Sequence, residues 1–76
     1  MADLIGSVQV GTVTSFDAEA GLGKVSVFAG GKELLLDFHA IVIGDGTREV
    51  SVGSAVVVTL VASVLGHIEA GTLIKL

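Results

Sequence analysis

Eleven glycines and no proline cut this chain into short apolar runs, and those runs are dense in β-branched residues. Val, Ile and Thr are stiff at χ1, which suits the pleated surface of a strand better than a helix. The intervening glycines supply the positive φ that tight turns need. The pattern predicts five strands, at about Val8–Phe16, Leu22–Phe28, Glu33–Phe38, Ala55–Val64 and Ile68–Leu76. Turns are expected at Asp17–Gly21, Gly30-Gly31, Gly44-Asp45-Gly46 and Gly66, with Gly30-Gly31 a short-hairpin signal. His39 to Val50 reads as a longer connection that opens with one helical turn. Ala55 to Leu65 is apolar enough for a buried helix, but Val56, Val57, Val58, Thr59, Val61 and Val64 argue for a strand. Five such strands in 76 residues predict one all-β domain over 1–76, a small closed barrel with residues 1–7 as an N-terminal tail.

The chain has no cysteine, so disulfides and thiolate metal sites are excluded and apolar packing must stabilise the fold. That material is abundant at 51% of residues, and it is aliphatic, with Phe16, Phe28 and Phe38 the only aromatics. Met1–Ser7 has neither a basic start nor an apolar stretch, so no signal peptide is expected. Ala55–Leu65 is too short for a membrane helix, which needs about 20 residues. The expectation is a soluble, cytoplasmic protein that does not engage membranes. Its net charge of −4 provides no long-range pull on a polyanion, and its cations are only Lys24, Lys32, Arg48 and Lys75. Leu34-Leu35-Leu36 and Val56-Val57-Val58 place apolar side chains on both faces of their strands. Such runs point to a covered outer face, as in a homo-oligomer or a protein complex, or are simply scattered surface aliphatics.

Several segments succeed one another at characteristic spacings. They are Gly11-x-Val13-x-x-Phe16-Asp17, Gly21-Leu22-Gly23-Lys24-Val25 and Leu36-Asp37-Phe38-His39-Ala40-Ile41. Gly44-Asp45-Gly46-Thr47-Arg48, Val52-Gly53-Ser54-Ala55-Val56 and Gly66-His67-Ile68-Glu69-Ala70 follow in order. From Gly11 to about Leu73 the chain thus resembles the cold-shock domain family. The resemblance implies a five-stranded antiparallel barrel of the oligonucleotide/oligosaccharide-binding (OB) type, which agrees with the strand pattern. It also implies a binder of single-stranded RNA or DNA, an RNA chaperone or transcription-linked protein that uses no cofactor. In the family, bases stack on aromatics of strands two and three while lysines hold phosphates. Carried onto this sequence, the nucleic-acid-binding residues are Phe16, Lys24, Phe38 and Arg48.

The chain departs from the family pattern at several of these positions. Thr14-Ser15-Phe16 stands where the family has Lys-Trp-Phe, and Ala20 where a Lys is common. Leu22 and Lys24 replace two aromatics, and Leu35 and Asp37 replace a Phe and a His. Each stacked base is worth about 1–3 kcal/mol, so the losses predict weak, salt-sensitive binding. Two alternatives stand beside this reading. Phe16 and Phe38 are core or rim packing, and the barrel is a protein-interaction or self-assembling module that no longer binds nucleic acid.

Other chemistry finds little support. Gly21-Leu-Gly-Lys24 lacks the earlier glycine and the following hydroxyl residue of a phosphate loop, and it leads into a strand. Asp37, His39 and His67 form no recognisable metal-ligand pattern. No nucleophile elbow or fixed Ser/His/Asp arrangement is visible, so no enzyme, catalytic residue or metal is expected.

Overall fold

The computed structural model describes residues 5–29, 31–44, 49–63 and 66–76. The β-branched runs form the strands β1 (Val8–Asp17), β2 (Leu22–Ala29), β3 (Lys32–His39), β4 (Ala55–Ala62) and β5 (Ile68–Lys75). All neighbours pair antiparallel in one sheet, in the order β3-β2-β1-β4-β5. The sheet curls until its end strands β3 and β5 touch. A single 3-10 turn, Ala40–Val42, leads out of β3. Beyond it Ile43 makes a parallel bridge to Leu73, and the Gly44 N–H donates to the Leu73 carbonyl at 2.7 Å. The result is a small OB-fold-like barrel, as the strand pattern predicts.

The expected strands lie within two residues of those found, and the expected helical turn is the 3-10 turn. Gly30 of the hairpin signal, the Asp45–Arg48 loop and the far end of the Ala55–Val64 strand lie outside the described residues. Two residues of the expected 1–7 tail, Gly6 and Ser7, are tied to β4. Gly6 donates to the Leu60 carbonyl at 2.6 Å, and Ser7 accepts from the Leu60 N–H at 2.9 Å, so hydrogen bonding to β4 begins before Val8. Residues 1–4 lie outside the described part.

Burial alternates along the strands, as a curled sheet with one packed face requires. Val25, Val27, Leu36, Val56, Val58, Leu60 and Leu73 point inward and are buried. No polar side chain among the described residues joins them. The two continuous apolar runs split accordingly. Leu36 is core and Leu35 is exposed, while Val56 and Val58 are core and Val57 is half-buried on the outside.

One irregularity sets the phase of the chemistry that follows. Val13 pairs with Val25, but the next partners are Ser15 with Lys24 and Phe16 with Gly23, so Thr14 is an extra, bulged residue. The bulge reverses the alternation along β1 and turns Phe16 toward the barrel interior. Gly23 in turn pairs with Phe38 on β3. Phe16, Gly23 and Phe38 therefore form one row across three strands. The phenylalanine rings lie 6.0 Å apart and nearly parallel, at 3°.

A side chain does not fit in the middle of that row. A Cβ on Gly23 would lie 2.5 Å from Phe38 Cζ and 2.7 Å from the Ser15 carbonyl oxygen. Phe38 is fully buried and has nowhere to move. Gly23→Ala is therefore expected to cost about 2–3 kcal/mol, in the range of core overpacking. In a domain of this size that lowers the melting temperature by roughly 10–20 °C. A thermal melt followed by circular dichroism reads this directly; an unchanged midpoint would show that the Phe38 ring is not locked over Gly23.

Candidate nucleic-acid interface

The outward face of β2 and β3 is built from cross-strand pairs. Leu22 faces His39, Lys24 faces Asp37, Ser26 faces Leu35 and Phe28 faces Glu33. Outward residues in register lie close enough for opposite charges to meet. Lys24 Nζ donates to Asp37 Oδ1 at 2.5 Å, and Ser26 Oγ donates to Glu33 Oε2 at 2.6 Å. Beside the Lys24–Asp37 pair runs an open groove of about 410 Å³. Ser15, Leu22, Lys24, Asp37, His39 and Glu69 line it, with Gly23 and Phe38 beneath.

The groove holds one cation against two carboxylates, Asp37 and Glu69. Lys24 and Asp37 are 50% and 69% exposed, so water screens their pairing and it adds little to stability. Its consequence is electrostatic. The cation that would meet a phosphate is already matched by a neighbouring carboxylate.

Of the three expected binding residues that the structure describes, Phe16 and Phe38 meet, but toward the interior rather than beside Lys24 on the outer face. Lys24 is where the pattern expects it, on the outer face of β2. Phe38 is corrected: with 0% of its surface exposed, its ring is a core residue and offers no face to a base. Phe16 is half-buried, turned inward by the bulge, and borders a separate groove of about 390 Å³ that also contains Val50 and Lys75. Arg48 lies outside the described residues. Gly21-Leu-Gly-Lys24 runs into β2, with no helix at its end to hold a phosphate.

Sequence reasoning did not assign Ser15, His39 or Glu69 to this site. His39 was legible from register, since it pairs with Leu22 two positions from Lys24. Ser15 was hidden by the bulge, because strict alternation places it on the opposite face. Glu69 arrives through the contact of β5 with β3, which no local pattern announces. Among the described residues no group of three or more His, Asp and Glu side chains is arranged to hold a metal ion. No described helix is long and apolar enough to cross a membrane.

No protein-family model matches the chain, and comparison with curated proteins gives no match.

Lys24→Ala and Asp37→Ala, singly and combined, separate the pair's electrostatic role from a structural one. The coupling energy in a thermal double-mutant cycle is expected to stay below about 1 kcal/mol and to shrink with added salt. A coupling of several kcal/mol would make the pair a structural tie.

Proposed function

We propose that this protein is a single-stranded nucleic-acid binder of low affinity, acting through the outer face of β2 and β3 around Lys24. The observation that carries the reading is the position of the groove. Barrels of the OB type bind oligonucleotides on the face of strands two and three, and here that face holds an open groove with Lys24 and the apolar edge of Leu22 on its rim. The cold-shock-like spacing from Gly11 to Leu73 adds a family-level argument, and by the same resemblance the protein works in the cytoplasm on RNA or DNA. No cofactor or catalytic step belongs to this function.

Its weakness follows from the residues. With Phe38 in the core and Leu22 and Leu35 on the surface, the face offers mainly aliphatic contact, with Phe28 its one exposed phenylalanine, and each missing stack is worth about 1–3 kcal/mol. Lys24 displaces about one counterion, and single-strand affinity falls with the logarithm of salt at about 0.7 per neutralised phosphate. Asp37 opposes the incoming phosphate and competes for Lys24.

Asp37 therefore makes the sharpest test, because removing its charge should strengthen binding. Fluorescence anisotropy of a labelled single-stranded oligonucleotide at low salt is expected to show Asp37→Asn binding roughly fivefold tighter than the natural chain, the effect of about 1 kcal/mol of surface electrostatics. Lys24→Ala is expected to remove most of the binding. If neither change moves the affinity, the β2–β3 face is not the binding surface.

A further inference from the structure

The seam between β3 and β5 is only partly closed. The two strands touch, yet they are not hydrogen-bonded neighbours in the sheet. Among the described residues, hydrogen bonding across the seam begins beyond β3, where Ile43 and Gly44 meet Leu73. The phase of the β2–β3 ladder fixes which backbone groups are left over. Antiparallel partners alternate between pairs that exchange hydrogen bonds and pairs that do not. Ala40 donates to the Gly21 carbonyl at 2.8 Å, one step past the Leu22–His39 pair. Counting back along that register, Phe38, Leu36, Leu34 and Lys32 bond to β2. The N–H and C=O groups of Glu33, Leu35 and Asp37 therefore point away from β2, along the open edge. Among the described residues none of these groups has a backbone partner. A groove of about 360 Å³ runs beside them, between residues 34–37 and the start of β5 at His67 and Ile68.

We propose that this edge of β3 binds an extended peptide as an added strand, one with basic, apolar and basic residues at alternate positions. Donors and acceptors that recur at every second residue match another extended backbone, which is where strand addition draws its affinity. The side chains beside the edge then choose among extended backbones. Glu33, Leu35 and Asp37 share the outer face and are exposed, Leu35 at 59%. Residues directly opposite on paired strands come within about 4.5–5.5 Å at Cβ, so the added strand is read residue by residue. It sets a cation against Glu33, an aliphatic side chain against Leu35 and a cation against Asp37. Glu33 carries most of the charge preference. Its carboxylate accepts from the neutral Ser26 hydroxyl, whereas Asp37 already pairs with Lys24.

A second copy fits this edge badly. Two β3 edges paired antiparallel about Leu35 place Glu33 of each copy opposite Asp37 of the other, and like charges directly opposite are destabilising. A phosphate backbone meets the same two carboxylates. The net charge of −4 favours a basic partner at longer range as well. A five-residue strand buries far less than the roughly 800 Å² per partner of a standard interface, so a dissociation constant on the order of 1 mM is expected.

The probe is the end-blocked heptapeptide Thr-Arg-Thr-Val-Thr-Arg-Thr, titrated into the isotope-labelled chain and followed by two-dimensional NMR. The Glu33, Leu35 and Asp37 amides are expected to exchange rapidly in the free protein, then to shift and gain protection as peptide is added. The charge-reversed peptide Thr-Glu-Thr-Val-Thr-Glu-Thr is expected to bind roughly tenfold more weakly. Glu33→Lys is expected to reduce binding of the basic peptide several-fold. Leu35→Pro removes an edge donor that makes no bond to β2 and is expected to abolish binding. Should that variant fail to fold, Glu33→Lys, at an exposed position, provides the same readout. The proposal is overturned if the Leu35 amide of the free protein is already protected, or if the two peptides bind alike or not at all. It is equally overturned if Glu33 and Leu35 respond to a single-stranded oligonucleotide and not to the basic peptide, which would give the edge to nucleic acid.

Discussion

No side chain fits at residue 23, and much of the surface chemistry follows from that. Phe38 lies across Gly23 in the interior, and Phe16, swung inward by the bulge at Thr14, stacks beside it. The row joins three neighbouring strands at one level of the barrel. It also withdraws two of the chain's three phenylalanines from the outer face of the sheet, Phe38 completely. Around Lys24 the outer face of β2 and β3 is left with Leu22, Asp37 and His39, and Phe28, 70% exposed, stands farther along the same face. Around Lys24 the surface is therefore aliphatic with one matched cation, and no pair of stacked aromatics lies there.

The barrel separates its surface into two kinds. Titratable outward groups gather on β2, β3 and the start of β5, where Lys24 meets Asp37 and Ser26 meets Glu33. Around the other side, the central outward rows of β1, β4 and β5 carry Val, Ile and Thr alone.

The fold was legible because each strand carries its own β-branched signature and each turn its own glycine. The 3-10 turn after His39 and the apolar outer positions Leu35 and Val57 were legible on the same grounds. The bulge at Thr14 was not, because a single extra residue leaves no compositional mark. The only hint was that Val13 and Phe16 are both apolar yet three apart, a spacing that strict alternation cannot place on one face. Missing it left Phe16 on the wrong side. Phe38 was placed on the binding face by the resemblance of Leu36–Ile41 to a cold-shock motif, in which that strand presents aromatics to bases. Here the missing Cβ of Gly23 lets the ring settle into the core. The neutralisation of Lys24 depends on the β2–β3 register, a long-range fact, so the sequence presented Lys24 and Asp37 as separate residues instead of a pair.

The most direct test of this account is a map of backbone amide shifts by two-dimensional NMR as a single-stranded oligonucleotide is added at low salt. The account predicts that Leu22, Lys24, Asp37 and His39 shift together while Val10, Val57 and Ile74 stay in place. Shifts centred on the Val10–Val57–Ile74 rows, or none at saturating oligonucleotide, would contradict it, because the β2–β3 face would then not be where nucleic acid binds.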